Sequence, residues 1–276
     1  MAKFEEKRQC GRCSFSYPVS KYKCPKCGAW YVAQAELLGV GEDDGTYLLS
    51  SIPEDSLVRI PTGPWDAAFS DKGGLVTVST TLLGGEPGAG KSTLAAQLLD
   101  AVISHTKKEG LYVHAEEAAT QLRDRVRRLD IKNLELYRAY PATAKTNLGI
   151  VIERRRPCCV IIDSIPKFVP DIDASVEFAK RLKDYAMQFE IPMILIDHVN
   201  KDGQFAGLMA LQHEVDTTMA ISQVDNIRRV LTVTKNRFGP DRYIPLEMHE
   251  SGLKLGKFED EEDEESDPDW EENDND

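Results

Sequence analysis

GEPGAGKST, residues 85–93, matches in full the phosphate-loop pattern G-x-x-x-x-G-K-[ST]. The stretch before it, 75–83 (LVTVSTTLL), is rich in β-branched residues, as a buried strand is. The stretch after it, 94–105 (LAAQLLDAVISH), carries apolar residues at helical spacing and no Gly or Pro. Strand, loop and helix thus stand in the order a phosphate cradle needs. Gly85, Gly88 and Gly90 let backbone N–H groups turn onto phosphate oxygens, with Glu86, Pro87, Ala89 and Thr93 completing the loop. The helix N-terminus adds partial positive charge. Lys91 can reach the β- and γ-phosphates, and Ser92 can ligate Mg²⁺. The reading predicts a bound nucleoside triphosphate.

Outward from the loop, residues 73–255 alternate strand-like and helix-like runs. The pattern predicts strands over 75–83, 110–115, 134–137, 158–163, 192–197, 217–222 and 229–234. It predicts helices over 92–105, 119–129, 146–155 and 175–190. Strands separated by helices of this length imply βαβ units and a mainly parallel sheet, with the late strand pair as the antiparallel candidate. The fold class expected is α/β, with domains divided as 1–32 (cysteine-rich), 33–62 (linker and lead-in), 63–256 (ATPase) and 257–276 (acidic tail).

The chain of 276 residues is 41% hydrophobic, enough for a sizeable core. No segment approaches the roughly eighteen apolar residues needed to span a bilayer, and MAKFEEKRQC has no secretory character. A cytoplasmic protein without membrane contact is the expectation. The net charge of −12 is a property of the tail: from Phe258 onward there are 13 acidic residues and no Lys or Arg. Without that run, 34 basic residues face 33 acidic ones, so the body carries +1. A self-repelling run of this kind is expected to be disordered. It reads either as a solubilising end or as a DNA mimic or docking peptide anchored by Trp270.

Four of the six cysteines lie in two C-x-x-C knuckles, Cys10/Cys13 and Cys24/Cys27. Each knuckle presents two thiolates from one tight turn, which suits a tetrahedral Zn²⁺ site tying together a segment too short for its own core. Disulfides are disfavoured in a cytosolic chain, and a redox knuckle lacks its surrounding βαβ unit. Cys158 and Cys159 open an apolar strand and read as small buried side chains.

Further candidates follow the later strands. Asp163 ends CCVIIDS, where it can hold Mg²⁺ through water; the alternative is a cap on the next turn. Glu116 and Glu117 follow strand 110–115, where a carboxylate can orient the attacking water, Glu116 being the first choice. Both could instead be acids of a helix first turn. KDGQFAG, 201–207, reads equally as a DNA-contacting loop or a plain surface turn. Lys235 and Arg237 lie two apart on an extended segment and project the same way. They could neutralise γ-phosphate charge on a neighbouring subunit, or be solvated cations of a turn.

Together these motifs resemble one family, RadA (also called Sms), bacterial RecA-like DNA repair ATPases. The resemblance rests on CGRC and CPKCGAW within 10–30, Thr62-Gly63, the loop 85–93, LYVHAEEAATQLRDRVRRL (111–129) and VIIDSI (160–165). HVNKDGQFAG (198–207) and KNRFGP (235–240) complete it. It implies a RecA-like core preceded by a zinc ribbon, a ring-shaped hexamer with ATP between subunits, and DNA-stimulated hydrolysis that extends heteroduplex in recombination, on single-stranded or branched DNA. By position, Lys91, Ser92 and Asp163 would bind MgATP, Glu116 would be the catalytic carboxylate, and Lys235 and Arg237 would reach a neighbour's ATP. Lys201 and Gln204 would contact DNA. Recombinase or replication proteins would be the partners. The chain departs from the family pattern at Ala118, Leu208 and Leu211-Gln212-His213. It stops at Asp276, which leaves no place for the family's Lon-protease-like domain and suggests a compact, phage-encoded relative that is no protease. A replicative ring helicase and an ATP-switched adaptor using the acidic tail are the competing functions.

Overall fold

Along the central strands, neighbouring residues face opposite layers. Leu82, Val113, Ile162 and Leu195 join one apolar cluster, whereas Leu83, Tyr112, Ile161 and Ile194 join the other. This period of two inside near-continuous apolar runs is what a sheet covered on both faces requires. The computed structural model describes residues 7–9, 15–18, 25–26, 49–52, 56–115, 117–141, 148–165, 169, 171–197 and 206–257.

The strands are β1 (Lys7–Gln9), β2 (Ser16–Pro18), β3 (Arg59–Ile60), β4 (Leu75–Val76), β5 (Thr80–Gly85), β6 (Gly110–His114), β7 (Tyr137–Pro141), β8 (Val160–Asp163), β9 (Met193–Ile196), β10 (Thr217–Gln223), β11 (Arg228–Asn236), β12 (Arg242–His249) and β13 (Gly252–Leu255). The helices are α1 (Lys91–Thr106), α2 (Ala119–Arg128), α3 (Leu148–Arg155), α4 (Ile172–Phe189) and α5 (Ala206–Glu214). The main sheet has the order β13-β12-β11-β10-β5-β9-β8-β6-β7. Pairing is parallel from β10 through β7 and antiparallel from β10 out to β13. Helices α1 and α2 cover one face, packing Leu94, Leu98, Leu122 and Val126 against Tyr112 and Ile161. Helices α3, α4 and α5 cover the other with Ile152, Leu182, Phe189 and Leu211. This is the α/β, mainly parallel architecture the sequence predicts.

The four predicted helices lie within three residues of α1 to α4 at each end. Two predicted strands differ. The run 75–83 is two strands, because the Ser79 amide and hydroxyl both donate to the Val76 carbonyl, at 3.2 and 2.6 Å, and close a turn. β4 then pairs with β3 in a separate two-stranded sheet, and β5 alone enters the main one. Residues 134–136 form a 3-10 turn, and the strand begins at Tyr137. Asn133 sets that turn: its carbonyl accepts from the Leu136 amide, and its side chain donates to Asp100 and Ser104 of α1. β12, β13 and α5 were not anticipated; Pro245 interrupts the strand signal of β12.

Several predicted features lie outside the described residues: Cys10, Cys13, Cys24, Cys27, Glu116, Lys201, Gln204 and the tail 258–276. Nearby in sequence, β1 and β2 pair antiparallel, and Pro25-Lys26 form a turn. Cys158 and Cys159 are free and buried in the α1-side cluster, and burial pushes both thiols up.

Candidate nucleotide site

β5 delivers the chain into the loop with Gly85 at φ 141°, and a Cβ there would sit 2.4 Å from the Ile221 carbonyl oxygen of β10. Only glycine fits both the backbone and the space. Gly90 is the N-cap of α1 at φ 112°; a Cβ there would meet Met248 Cε at 2.7 Å. Having no side chain, Gly90 leaves the first-turn amides of α1 without a side-chain cap. Lys91 is buried, and its Nζ donates to the carbonyls of Gly85 (2.7 Å) and Glu86 (2.8 Å). Ser92 follows on the first turn of α1.

Parallel pairing brings the ends of β5, β8 and β6 to the same edge of the sheet. Asp163, the last residue of β8, is buried there and faces the α1 side with Tyr112. The Tyr112 hydroxyl donates to Asp163 Oδ2, and Arg125 Nη1 stands 3.7 Å from the same oxygen. Arg125 also donates to the Tyr112 hydroxyl at 3.3 Å and pairs with Glu117 at 2.5 Å. Burial, and after it the Asp163 charge, holds the Tyr112 phenol well above its usual range, so Tyr112 remains a donor. Tyr112 and Arg125 both engage Oδ2.

The other predicted cations lie at the opposite edge. Thr217 is in register with Thr81 at the start of β5 and with Asn236 at the end of β11. Lys235 Nζ donates to the carbonyls of Gln212 and Val215 (2.7 Å to the latter) at the end of α5. Burial lowers the Lys235 ammonium below its ordinary range, reinforced by Arg237 and Lys183. Arg237 pairs with Asp216 at 3.1 Å. Asp216, 4% exposed, also accepts from Lys183 Nζ (2.9 Å) and from the amide and hydroxyl of Thr80 (3.0 Å each). The structure thus brings Lys91, Ser92 and Asp163 to one edge and sets Lys235 and Arg237 at the other.

The family described as "ATPase: KaiC" matches residues 60–139. The DNA repair protein RadA of Chlamydia pneumoniae is 35% identical over 265 residues, 89% of this chain and 57% of that protein. RadA of Bacillus subtilis is 30% identical over 278 residues (92% and 60%), and RadA of Pseudomonas aeruginosa 31% over 275 (92% and 60%). Over about nine tenths of its length the chain is similar to these RadA proteins. It spans about three fifths of the length of these curated relatives. The fold is that of a KaiC-like protein from Pyrococcus horikoshii, with a TM-score of 0.60 at 18% identity over 73% of this chain and all of that one.

The likeness to a KaiC-type ATPase domain over residues 60–139 implies ATP and Mg²⁺ as the cofactors. The residues present fit them: hard oxygen donors at Ser92 and Asp163, a lysine at the loop and a helix start without a side-chain cap. Sequence reasoning missed Tyr112, Arg125, Asp216 and Lys183. Two left a signal. A tyrosine inside a buried strand needs a polar partner, and Arg125 sits three residues after the inward-facing Leu122 on α2. Asp216 and Lys183 are joined only by tertiary folding. Among the described residues no helix is long and apolar enough to cross a membrane.

Proposed function

We propose that the chain is a DNA-stimulated ATP hydrolase, acting in homologous recombination and DNA repair as a RadA-like branch-migration motor or helicase on single-stranded or branched DNA. The single observation that carries the reading is the separation of its two charged edges. Asn236 is level with Thr81, four residues below Gly85, so Arg237 stands about 15 Å of strand away from its own phosphate loop. A cation so placed serves a neighbour's nucleotide, which requires a head-to-tail assembly; the ring of six copies is the closed form of it.

In that assembly Lys91 exchanges the Gly85 and Glu86 carbonyls for β- and γ-phosphate oxygens, while loop amides of residues 85–93 bind the rest of the triphosphate. Ser92 and Asp163 hold Mg²⁺, which neutralises charge developing on the phosphates. Glu116 orients the attacking water. Arg237, 54% exposed, leaves Asp216 to the deeper Lys183 and meets the neighbour's γ-phosphate, with Lys235 beside it. Lys201 and Gln204 contact DNA from the segment that leads into α5, the helix whose end Lys235 binds. Cys10, Cys13, Cys24 and Cys27 hold Zn²⁺, a fit of four thiols to a tetrahedral site. Recombinase or replication proteins are the partners, and the cytoplasm the compartment.

The test is the ATP hydrolysis rate with and without single-stranded DNA, for the chain and for Lys91→Ala. Single-stranded DNA should raise the rate, and Lys91→Ala should lower it by at least about 100-fold. A rate indifferent to DNA would point instead to a nucleotide-switched adaptor that recruits partners through its acidic tail.

A further inference from the structure

His114 ends β6, 5% exposed and in register with Asp163 at the end of β8. Register partners on adjacent parallel strands share a face, and Tyr112, two residues back, already donates to Asp163 on the α1 side. The imidazole therefore stands beside the Asp163 carboxylate at the edge where α1 begins.

One ring nitrogen is accounted for. Nδ1 lies 2.9 Å from the Glu117 carbonyl oxygen, which can only accept, so Nδ1 carries the proton and donates. In the neutral ring Nε2 is then a lone pair. It is fully buried, and among the described residues no group donates to it. A buried acceptor left this way carries an uncompensated desolvation penalty. Groups of this kind call for an explanation, and this one borders the candidate metal site.

The chemistry of the site limits what can satisfy it. A phosphate oxygen is itself an acceptor and cannot serve a lone pair. Water polarised by a divalent cation is a strong donor, and Asp163 is placed to hold such a cation through water. We propose that His114 is a positioning residue for the metal: its Nε2 accepts a hydrogen bond from the hydration shell of the Mg²⁺ held by Ser92 and Asp163. The Nδ1–Glu117 bond fixes the tautomer and the ring plane. His114 thereby gives the hydration shell a second protein acceptor beside Asp163, as partners outside the ligand set commonly do. This rests on the metal–nucleotide reading above.

Three substitutions separate the two nitrogens. His114→Asn can keep a donor to Glu117 but has no atom at the Nε2 position. His114→Gln places Oε1 at that position and gives up the donor to Glu117. His114→Leu removes both. The probe is Mn²⁺ affinity in the presence of ADP, read from the free-Mn²⁺ resonance, with thermal melting as the check on folding. Metal-free ADP affinity in EDTA is measured in parallel, with Lys91→Ala as its control. The expected result is Mn²⁺ affinity about 10-fold weaker in His114→Asn and His114→Leu, restored to within about 2-fold in His114→Gln, with metal-free ADP affinity unchanged in all three. Wild-type affinity in both His114→Asn and His114→Leu would overturn the proposal. So would a loss in His114→Gln and His114→Leu with His114→Asn intact, since that pattern assigns His114 to holding Glu117. If ADP fails to raise Mn²⁺ affinity in the unaltered protein, the metal site and the role of His114 fall together; loss confined to the His114 arms leaves the metal site standing.

Discussion

The two ends of the parallel strands are built on opposite principles. At the end where β5, β6 and β8 finish, the groups are poised for something else: first-turn amides of α1 without a side-chain cap, Lys91 on two loop carbonyls, His114 with a nitrogen that no described residue serves. At the end where β5 starts, charge is matched: Asp216 takes Thr80, Lys183 and Arg237 together, and Lys235 closes the end of α5. One end bears unsatisfied potential that a ligand can relieve. The other is a buried clasp that joins β5, α4, α5 and β11, with its outermost cation half in solvent. The difference indicates where stability and where function are invested, and it predicts which substitutions hurt which.

The largest stability loss should come from the clasp. Asp216→Ala leaves Lys183 without its carboxylate in a mostly buried position and should cost about 4 kcal/mol in urea unfolding. Arg237→Ala, removing the exposed partner, should cost under about 1 kcal/mol. If the two are equal, the clasp is misread. At the phosphate loop, stability should follow the backbone rather than charge. Gly85→Ala drives a Cβ into the Ile221 carbonyl and should cost about 3 kcal/mol, whereas Gly88→Ala, at φ 83° with open space, should cost about 1 kcal/mol. Equal melting temperatures for the two would break that account. Tyr112→Phe deletes one donor to Asp163 and should cost about 1–2 kcal/mol, with a larger effect on divalent-metal affinity than on metal-free nucleotide binding.

The smallest effect lies in the β10–β11 turn beyond the loop edge. The Arg228 amide, then its guanidinium and the Ile227 amide, hold the Asp225 carboxyl down to about 2. A carboxylate depressed in the folded state stabilises fully above its ordinary value near 4 and loses that contribution as pH falls from about 4 to about 2. A carbon-13 titration of the Asp225 carboxyl should find its midpoint near 2; a midpoint near 4 would mean that the turn is not formed in solution.

Much of this was legible in the sequence because it is written in local chemistry. The phosphate loop carries its glycines and lysine in one string, and the strand and helix beside it show their own periods, so the α/β class and Asp163 at a strand end could be read directly. What escaped is tertiary or punctuated. The break at Ser79 depends on one hydroxyl turning back to Val76, which composition along 75–83 does not disclose. Pro245 masks β12, although it stays in register with Val230. Asp216 and Lys183 meet only because α4 packs beside β5 and β9, and His114 gains meaning only when β6 lies against β8. The level of Arg237 relative to Gly85 follows from sheet register, which no linear spacing contains.

The central claim is that one copy's phosphate loop is completed by another copy's Arg237. It is tested most directly by mixing two inactive variants, Lys91→Ala and Arg237→Ala, under conditions of subunit exchange and measuring ATP hydrolysis. In a random equal mixture one interface in four joins an intact loop to an intact Arg237, so activity should return to about a quarter of the wild-type rate. A mixture as inactive as its components would contradict the account.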